Sequence, residues 1–267
     1  MNHHVSSLTD DAVIAQIRRL GNEDAPENIR RHVLAETGLA DQYFRTASPV
    51  GDIFVAFGST GIRMVERAGD ATRFEARFQE RFGRMVVPTD SPPARLVDQI
   101  QRRLSGSNRP PRVDLSTSTD FQRKVLLKTL EIPYGQVRPY SWIAREIGHP
   151  RADRAVGSAL AGNPIPLVIP CHRVVRNDGV IGNYGMGGPE VKRQILTREG
   201  AQPDQLERLA RRGARYVGSD TTHIFCFPTC SHARRVTEKH LVGFPNASSA
   251  LGSGYRPCMV CRPVQAA

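Results

Sequence analysis

The sequence predicts an α+β protein of several domains, and three observations carry that prediction. Residues 50–67 read as a β-hairpin, the pattern turns helical after Asp120, and four of the five cysteines fall in the last 42 residues. The length of 267 residues fits about two domains at ~100–200 residues each. A hydrophobic content of 39% is enough for a real core. No run approaches the ~18 apolar residues of a membrane span, so no membrane partner is expected. The start Met1-Asn2-His3-His4 lacks a basic-then-apolar leader, which makes a cytoplasmic location the expectation.

Residues 10–20 predict a helix capped by Thr9 or Asp10, with Val13, Ile14, Ile17 and Leu20 on one face. Residues 27–39 predict a second, with Pro26 at its start and Gly38 as its stop. Together they make a helical extension over 1–42 that carries no visible chemistry. In the next body, 43–119, the strands Asp52-Ile53-Phe54-Val55-Ala56-Phe57 and Ile62-Arg63-Met64-Val65-Glu66 flank the turn Gly58-Ser59-Thr60-Gly61. Phe74, Phe78 and Phe82 recur at helical spacing over 71–82 and mark a core stripe, and 93–104 predicts a helix with Leu96, Ile100 and Leu104 inward.

Beyond Asp120, residues 121–130 predict an amphipathic helix closed by Pro133-Tyr134-Gly135. Residues 140–147, 148–151 and 152–160 then read as helix, short turn and helix, with Gly148 in the turn, which is helix-turn-helix spacing. The second of these helices holds Ala152, Ala155, Gly157, Ser158 and Ala159. Such small side chains allow close approach, either to a neighbouring helix or to another surface, and Arg154 among them favours DNA. Charge points the same way. The net charge of +11 is spread as +1 over 1–119, +4 over 120–205 and +6 over 206–267. That gradient suits a polyanion partner for the C-terminal half, because Lys and Arg gain affinity by releasing phosphate counterions.

The five cysteines divide cleanly. Cys171 stands alone in Pro170-Cys171-His172-Arg173, after the apolar run Pro164-Ile165-Pro166-Leu167-Val168-Ile169, which reads as a strand, and before Asn177-Asp178-Gly179. A thiol reacts as the thiolate, so a nucleophilic Cys needs a nearby base or a lowered pKa. Neighbours in a strand point to opposite faces, so His172 would reach Cys171 only where the chain turns, or through a bridging water. Its other ring nitrogen would then need an acceptor, usually a carboxylate. An inert buried thiol is the competing reading; the flanking Pro170, His172 and polar turn favour chemistry.

Several motifs in order around that cysteine carry a resemblance. Ile132-Pro133-Tyr134-Gly135, Arg154-Ala155-Val156-Gly157, Ala161-Gly162-Asn163-Pro164-Ile165-Pro166, Ile169-Pro170-Cys171-His172-Arg173-Val174 and Gly182-Asn183-Tyr184 together resemble the O-6-alkylguanine-DNA alkyltransferases. The match runs without gaps from about residue 121 to 184 and continues to Glu199. The resemblance implies a ribonuclease H-like N-terminal domain over 43–119 and a helical, winged helix-turn-helix-like alkyltransferase domain over 120–205. It implies that Cys171 accepts an alkyl group irreversibly, His172 takes the thiol proton through a water, Glu199 orients His172, and Asn163 is the hinge of the active-site loop. Tyr140 would help rotate the nucleotide out and Arg154 would fill the vacated space in the stack. Ala155 and Gly157 would permit close approach to the minor groove. The implied partner is double-stranded DNA carrying alkylated guanine, bound by a monomer, with no methyl-donor cofactor.

The remaining cysteines form Cys226-x3-Cys230 and Cys258-x2-Cys261, separated by 27 residues. Two short-spaced pairs of this kind predict a tetrahedral zinc site, and disulfides fit a reducing compartment poorly. Residues 216–230, with Asn246-Ala247-Ser248 and Gly254-Tyr255-Arg256-Pro257-Cys258, are similar to the zinc domain of the bacterial adaptive-response protein Ada. That resemblance implies a module over 206–267 whose Cys226 accepts a methyl group from a DNA phosphotriester. Here the module comes last rather than first, and Phe227 stands where that family usually has Arg, which removes a phosphate contact. A structural zinc module adding DNA affinity is the competing reading. For the whole chain, single-turnover DNA repair is the expected function. A non-catalytic damage-recognition protein and an Ada-like regulator are the alternatives.

Overall fold

The computed structural model describes residues 26–264. The helix expected over 10–20 lies outside the described residues. The next one is present as Glu27–Glu36, and Gly38 follows its end at φ 70°.

The first body is a four-stranded sheet with helices against it. Its strands are β1 (Ala40–Thr46), β2 (Ile53–Gly58), β3 (Gly61–Arg67) and β4 (Met85–Pro88), in the order β3-β2-β1-β4. β1, β2 and β3 pair antiparallel, whereas β4 runs parallel to β1. The expected hairpin is thus β2–β3. β1 and β4 are additional, and β1 begins at Ala40, so the sheet body starts before the boundary expected at 42/43. β1 escapes pattern reading because its Asp41 is buried, where Arg63 (3.1 Å) and Arg84 (3.3 Å) compensate the charge.

Both faces of this sheet are covered. On one, Phe74 and Phe78 of the helix Ala71–Phe82 pack on Tyr43, Phe54, Ala56 and Met64. The aromatic stripe is therefore core, as its spacing implies; Asp70 caps the helix by accepting from Arg73 N (3.1 Å), and Gly83 ends it at φ 63°. The other face carries Phe44, Ile53, Val55 and Val65 into a core shared with Ile100 of the helix Ala94–Leu104 and with the residues that follow position 120. Two further links tie the sheet to the segment preceding Cys171. Val65 N donates to Pro164 O (2.8 Å), and the buried Arg103 donates from Nε to Val168 O (3.1 Å).

The second body is helical apart from two short strands, β5 (Arg138–Pro139) and β6 (Val174–Val175), which pair parallel. Asp120–Leu130 starts at Thr119, whose side chain accepts from Gln122 N (3.2 Å). Tyr140–Glu146 and Asp153–Ala161 form the expected helix-turn-helix, with Gly148 at φ 81° in the turn. Gly188–Arg198 follows, and then the unanticipated Pro203–Arg211, which crosses the boundary expected at 205/206. Leu206 of that last helix packs with Val137, Val175, Ile181 and Leu196, so it belongs to this body.

One expectation fails here. The apolar run 164–169 is not a strand but a turning loop with a single bridge between Pro166 and Ile169. Pro164, Pro166 and Pro170 each lack an N–H for a ladder, and Leu167 sits at φ 71°, where a strand cannot continue. The run is apolar because Ile165, Leu167, Val168 and Ile169 are buried in the shared core.

The third body is a small sheet, β10-β8-β7-β9, made of β7 (Tyr216–Ser219), β8 (Ile224–Cys226), β9 (Leu241–Phe244) and β10 (Arg256–Pro257). β10 pairs parallel to β8, with Pro257 opposite Phe225. That register brings the two cysteine pairs, distant in sequence, to the same end of the sheet.

Candidate functional site

Cys171 opens a single 3-10 turn, Cys171–Arg173, directly after Pro170. This turn puts His172 and Cys171 on adjoining sides of a bend rather than on opposite faces of a strand. Asn163, two residues beyond the helix Asp153–Ala161, closes the loop. Its Nδ2 donates to Ile169 O (3.1 Å) and to Cys171 Sγ (3.1 Å), and its Oδ1 accepts from Ile165 N (3.0 Å). An amide donor aimed at sulfur favours the thiolate.

Behind the cysteine lies a buried ion-pair network centred on Glu199, the residue that caps the helix Gly188–Arg198. His172 Nε2 is 2.9 Å from Glu199 Oε1. Arg173 donates to both carboxylate oxygens, Nε to Oε2 (2.8 Å) and Nη2 to Oε1 (2.9 Å), and its Nη1 donates to Ile132 O (2.7 Å). Gly135 N donates to Oε2 (3.1 Å). Burial alone would raise the Glu199 carboxyl; hydrogen bonds and charge from His172 and Arg173 outweigh it and hold its pKa at about 2. An ionised carboxylate only accepts, so the Nε2 of His172 carries the proton and Nδ1 keeps its lone pair. Nδ1 is buried and has no hydrogen-bond partner among the described residues.

Burial pushes the Cys171 thiol up, while the Asn163 bond and the Lys192 charge pull it back. Burial likewise pushes His172 down, against Glu199, which pulls it up; Arg173 and Lys192 reinforce the fall. His172 is therefore neutral at physiological pH. Tyr184 stands edge-on to it, with ring centroids 6.0 Å apart. The resting state is a neutral thiol beside a neutral imidazole whose free nitrogen can take a proton.

Three of these residues have no counterpart in the expectations. Arg173 lies inside the Pro-Cys-His-Arg motif, so its position was visible but its two-pronged hold on Glu199 was not. Tyr184 lies inside the Gly182-Asn183-Tyr184 motif, but its place beside His172 was not visible there, and Lys192 carries no sequence signal. Lys192 is buried, donates from Nζ to Val174 O (2.6 Å), and has a pKa lowered to about 8 by burial.

Half-buried Cys171 lies between two cavities. One, of about 440 Å³, is lined by Asn163, Pro166, Tyr184, Gly185, Met186 and Arg67 among others. The other, of about 490 Å³, reaches from Cys171 to Tyr140 and Gly157 on the helix-turn-helix. On the helix Asp153–Ala161, Val156, Ala159 and Leu160 are buried, and Arg154 and Ala155 are exposed. The structure thus brings Tyr140 and Gly157 to one cavity with Cys171 and leaves Arg154 and Ala155 on the outer face. Asn177, in the polar turn after the cysteine, holds the start of both helices: Ser141 N donates to its Oδ1 (2.9 Å), and its Nδ2 donates to Asp153 Oδ2 (2.5 Å).

The four remaining cysteines converge. The sulfurs of Cys226, Cys230, Cys258 and Cys261 all lie within 4.8 Å of one another, buried and without disulfides. Phe227, at the position where Arg is usual, is buried against the second body. It stacks on Tyr216 (5.4 Å), and the guanidinium of Arg138 lies over its ring (5.4 Å). Thr229 accepts from Val137 N (2.9 Å). The cysteine module is therefore docked on the helical body, and Phe227 is one of its docking residues.

Glu199→Gln tests the ion-pair network. The folded-state carboxyl sits below its unfolded value, so the stability it contributes is present above about pH 4.3 and is lost as pH falls towards 2. The variant should be less stable than wild type by about 3–5 kcal/mol at pH 7. In chemical denaturation the gap should narrow steadily below pH 4.5; a gap independent of pH contradicts the assignment.

Comparison with known proteins agrees with this geometry. The family described as 6-O-methylguanine DNA methyltransferase, DNA binding domain, matches residues 120–201. That described as metal binding domain of Ada matches residues 208–264. The methylated-DNA–protein-cysteine methyltransferase of Mycobacterium bovis is 37% identical over 162 residues, 59% of this chain and 92% of that protein. The rat protein of the same name is 45% identical over 100 residues, and the match spans 37% of this chain and only 46% of that relative. Among solved structures, Mycobacterium tuberculosis OGT in complex with DNA superposes with a TM-score of 0.50 at 32% identity, covering 62% of this chain and 97% of that one. With a relative matched over nearly its whole length, the chain belongs to the methylated-DNA–protein-cysteine methyltransferase family, and a segment similar to the metal-binding domain of Ada follows its alkyltransferase region.

Proposed function

We propose that this protein repairs DNA by moving an alkyl group from O-6-alkylguanine to Cys171, once per molecule. The observation that carries the reading is the Asn163–Cys171–His172–Glu199 constellation at the end of a cavity that begins at the helix-turn-helix. In this reading the first body is the family's ribonuclease H-like domain and the second its winged helix-turn-helix-like DNA-binding domain. Arg154 and Ala155 face the duplex, and Gly157 and Tyr140 flank the passage by which a base reaches the sulfur. Extruding a base costs a few kcal/mol, less for a damaged pair.

The chemistry balances without a donor cofactor. His172 Nδ1 takes the thiol proton, directly or through a water, while Glu199 stabilises the imidazolium and Asn163 the thiolate. Lys192 adds positive charge near the sulfur. The sulfur attacks the alkyl carbon, an S–C bond forms as the C–O bond breaks, and the electron pair leaves on guanine oxygen. The proton gained by His172 neutralises the guanine. The thioether is stable, so nothing regenerates the thiol.

The four-cysteine cluster is read as a zinc site. Four buried sulfurs at this spacing match tetrahedral thiolate ligation, and burying them as ligands is the arrangement that removes the cost of four thiolates in one place. Zinc there supplies folding energy and holds its thiolates ionised. A second activity at the same site, methyl transfer from a DNA phosphotriester to Cys226, is favoured by a cavity of about 360 Å³ that Cys226 lines with Thr221, Thr222, His232, Arg235 and His240. Arg235 and the histidines there suit a phosphate, although Phe227 is turned away to the interface.

Purified protein mixed with duplex carrying labelled O-6-methylguanine should take up one equivalent of label, found by peptide mass on Cys171. Label that turns over, or a Cys171→Ala protein that still clears the base methylation, contradicts the reading. Removing metal with a strong chelator should unfold residues 216–261, because zinc supplies about 10–16 kcal/mol of apparent folding free energy in such modules. Unchanged amide-exchange protection of that segment after metal loss contradicts zinc ligation.

A further inference from the structure

The metal-binding module reaches further than its own docking surface. Its residues close to the cysteines grip one short loop of the helical body, 133–138. Thr229 Oγ1, beside Cys230, accepts from Val137 N (2.9 Å). Phe227, beside Cys226, lies under Arg138. Arg234 donates from Nη2 to the Gly135 carbonyl, and its own backbone N–H is bonded to Cys230 O (3.1 Å). The same loop supports the catalytic network from its other side, since Gly135 N donates to Glu199 Oε2 (3.1 Å) and Ile132 O accepts from Arg173 (2.7 Å).

Gly135 is thus held from both sides. It sits at φ 68°, and a Cβ there would collide with the Glu199 carbonyl oxygen and lie 3.4 Å from Arg234 Nη2. Nothing softer than backbone intervenes between the guanidinium on the metal module and the carboxylate that orients His172. The loop is thus pinned by a side chain on one face and bonds a carboxylate on the other.

We propose that Arg234 is a positioning residue for alkyl transfer at Cys171, acting through Gly135 on Glu199, so that the folded metal module sets the orientation of His172. This rests on the alkyl-transfer reading above. Arg234 touches neither the sulfur nor any substrate atom. It fixes the loop, the loop fixes the carboxylate, and the carboxylate fixes which nitrogen of His172 carries the proton. The turn Ala233–Arg235 is tied to the cysteine cluster through Cys230, whose carbonyl accepts from Arg234 N.

The test uses the full zinc-loaded chain and two variants, Arg234→Met and Arg234→Lys. Arg234 is exposed, so its replacement leaves the core intact. Three quantities are read: zinc content by native mass spectrometry, the single-turnover rate of methyl transfer from an O-6-methylguanine duplex at fixed pH and salt, and the imidazole 15N shifts of His172. The Met variant should keep its zinc, transfer at least about tenfold more slowly, since a ~1 Å misplacement costs up to ~100-fold, and lose the pure Nε2–H signature. The Lys variant, which restores a donor, should recover most of both. Zinc retained with a rate within twofold of wild type and unchanged ring shifts overturns the inference. If the Met protein loses metal, Arg234→Gln decides by the same criteria, being polar but too short to reach Gly135. Wild-type protein that fails to methylate Cys171 sinks the alkyl-transfer reading instead, and the ring shifts, which need no substrate, still settle the coupling.

Discussion

Glu199 is the constraint on which the site depends. One buried carboxylate accepts from His172, twice from Arg173 and once from the Gly135 backbone. A buried carboxylate with fewer partners would be protonated or driven to the surface. With them it stays ionised, and its charge decides the tautomer of His172. That choice leaves Nδ1 as a base, which a buried thiol with a raised pKa requires. The arrangement differs from a standing thiolate: burial raises the Cys171 pKa, so the sulfur is neutral at rest.

The rest of the fold explains how four distant segments reach that carboxylate. The sheet of the first body bonds to Pro164, and Arg103 of the helix Ala94–Leu104 bonds to Val168, which fixes the loop before Cys171. Asn163 ties that loop to the helix Asp153–Ala161, and Asn177 ties the polar turn after it to both helices of the helix-turn-helix. The helix-turn-helix and Cys171 are consequently parts of one framework. The cysteine module adds a further brace through the loop 133–138. Phe227 makes the logic plain: the position that would offer Arg to phosphate instead offers an aromatic ring to the neighbouring body.

Much of this was legible in the chain. The phenylalanine stripe at 74, 78 and 82, the hairpin at Gly58–Gly61, the helix-turn-helix and the two cysteine pairs all have local periodicities or spacings, and each appears where expected. β1 was not legible because its buried Asp41 reads as surface until Arg63 and Arg84 are known to lie against it. The loop 164–169 reads as a strand because burial and strand formation give the same apolar run; Pro164 and Pro166 within it and Pro170 just after it are the signal against one. At the site, Cys171 and His172 announced themselves by adjacency. Glu199 came only by resemblance, and Lys192 not at all, because an ionisable residue whose partners are backbone carbonyls or lie more than twenty residues away leaves no trace in a local pattern.

The most direct measure of the central claim is the pH profile of single-turnover transfer to Cys171. If His172 is the base, with Glu199, Arg173, Lys192 and Tyr184 around it, the rate should fall in acid as the imidazole protonates and be level between about pH 6.5 and 7.5, since burial holds His172 below its usual ~6.5, and it should not rise beyond that, where Lys192 at about 8 loses its charge. A rate that instead keeps climbing beyond about pH 8.5, with ionisation of a thiol that burial holds above its ordinary ~8.5, would mean that the sulfur needs no base, and the Glu199-centred account would be wrong.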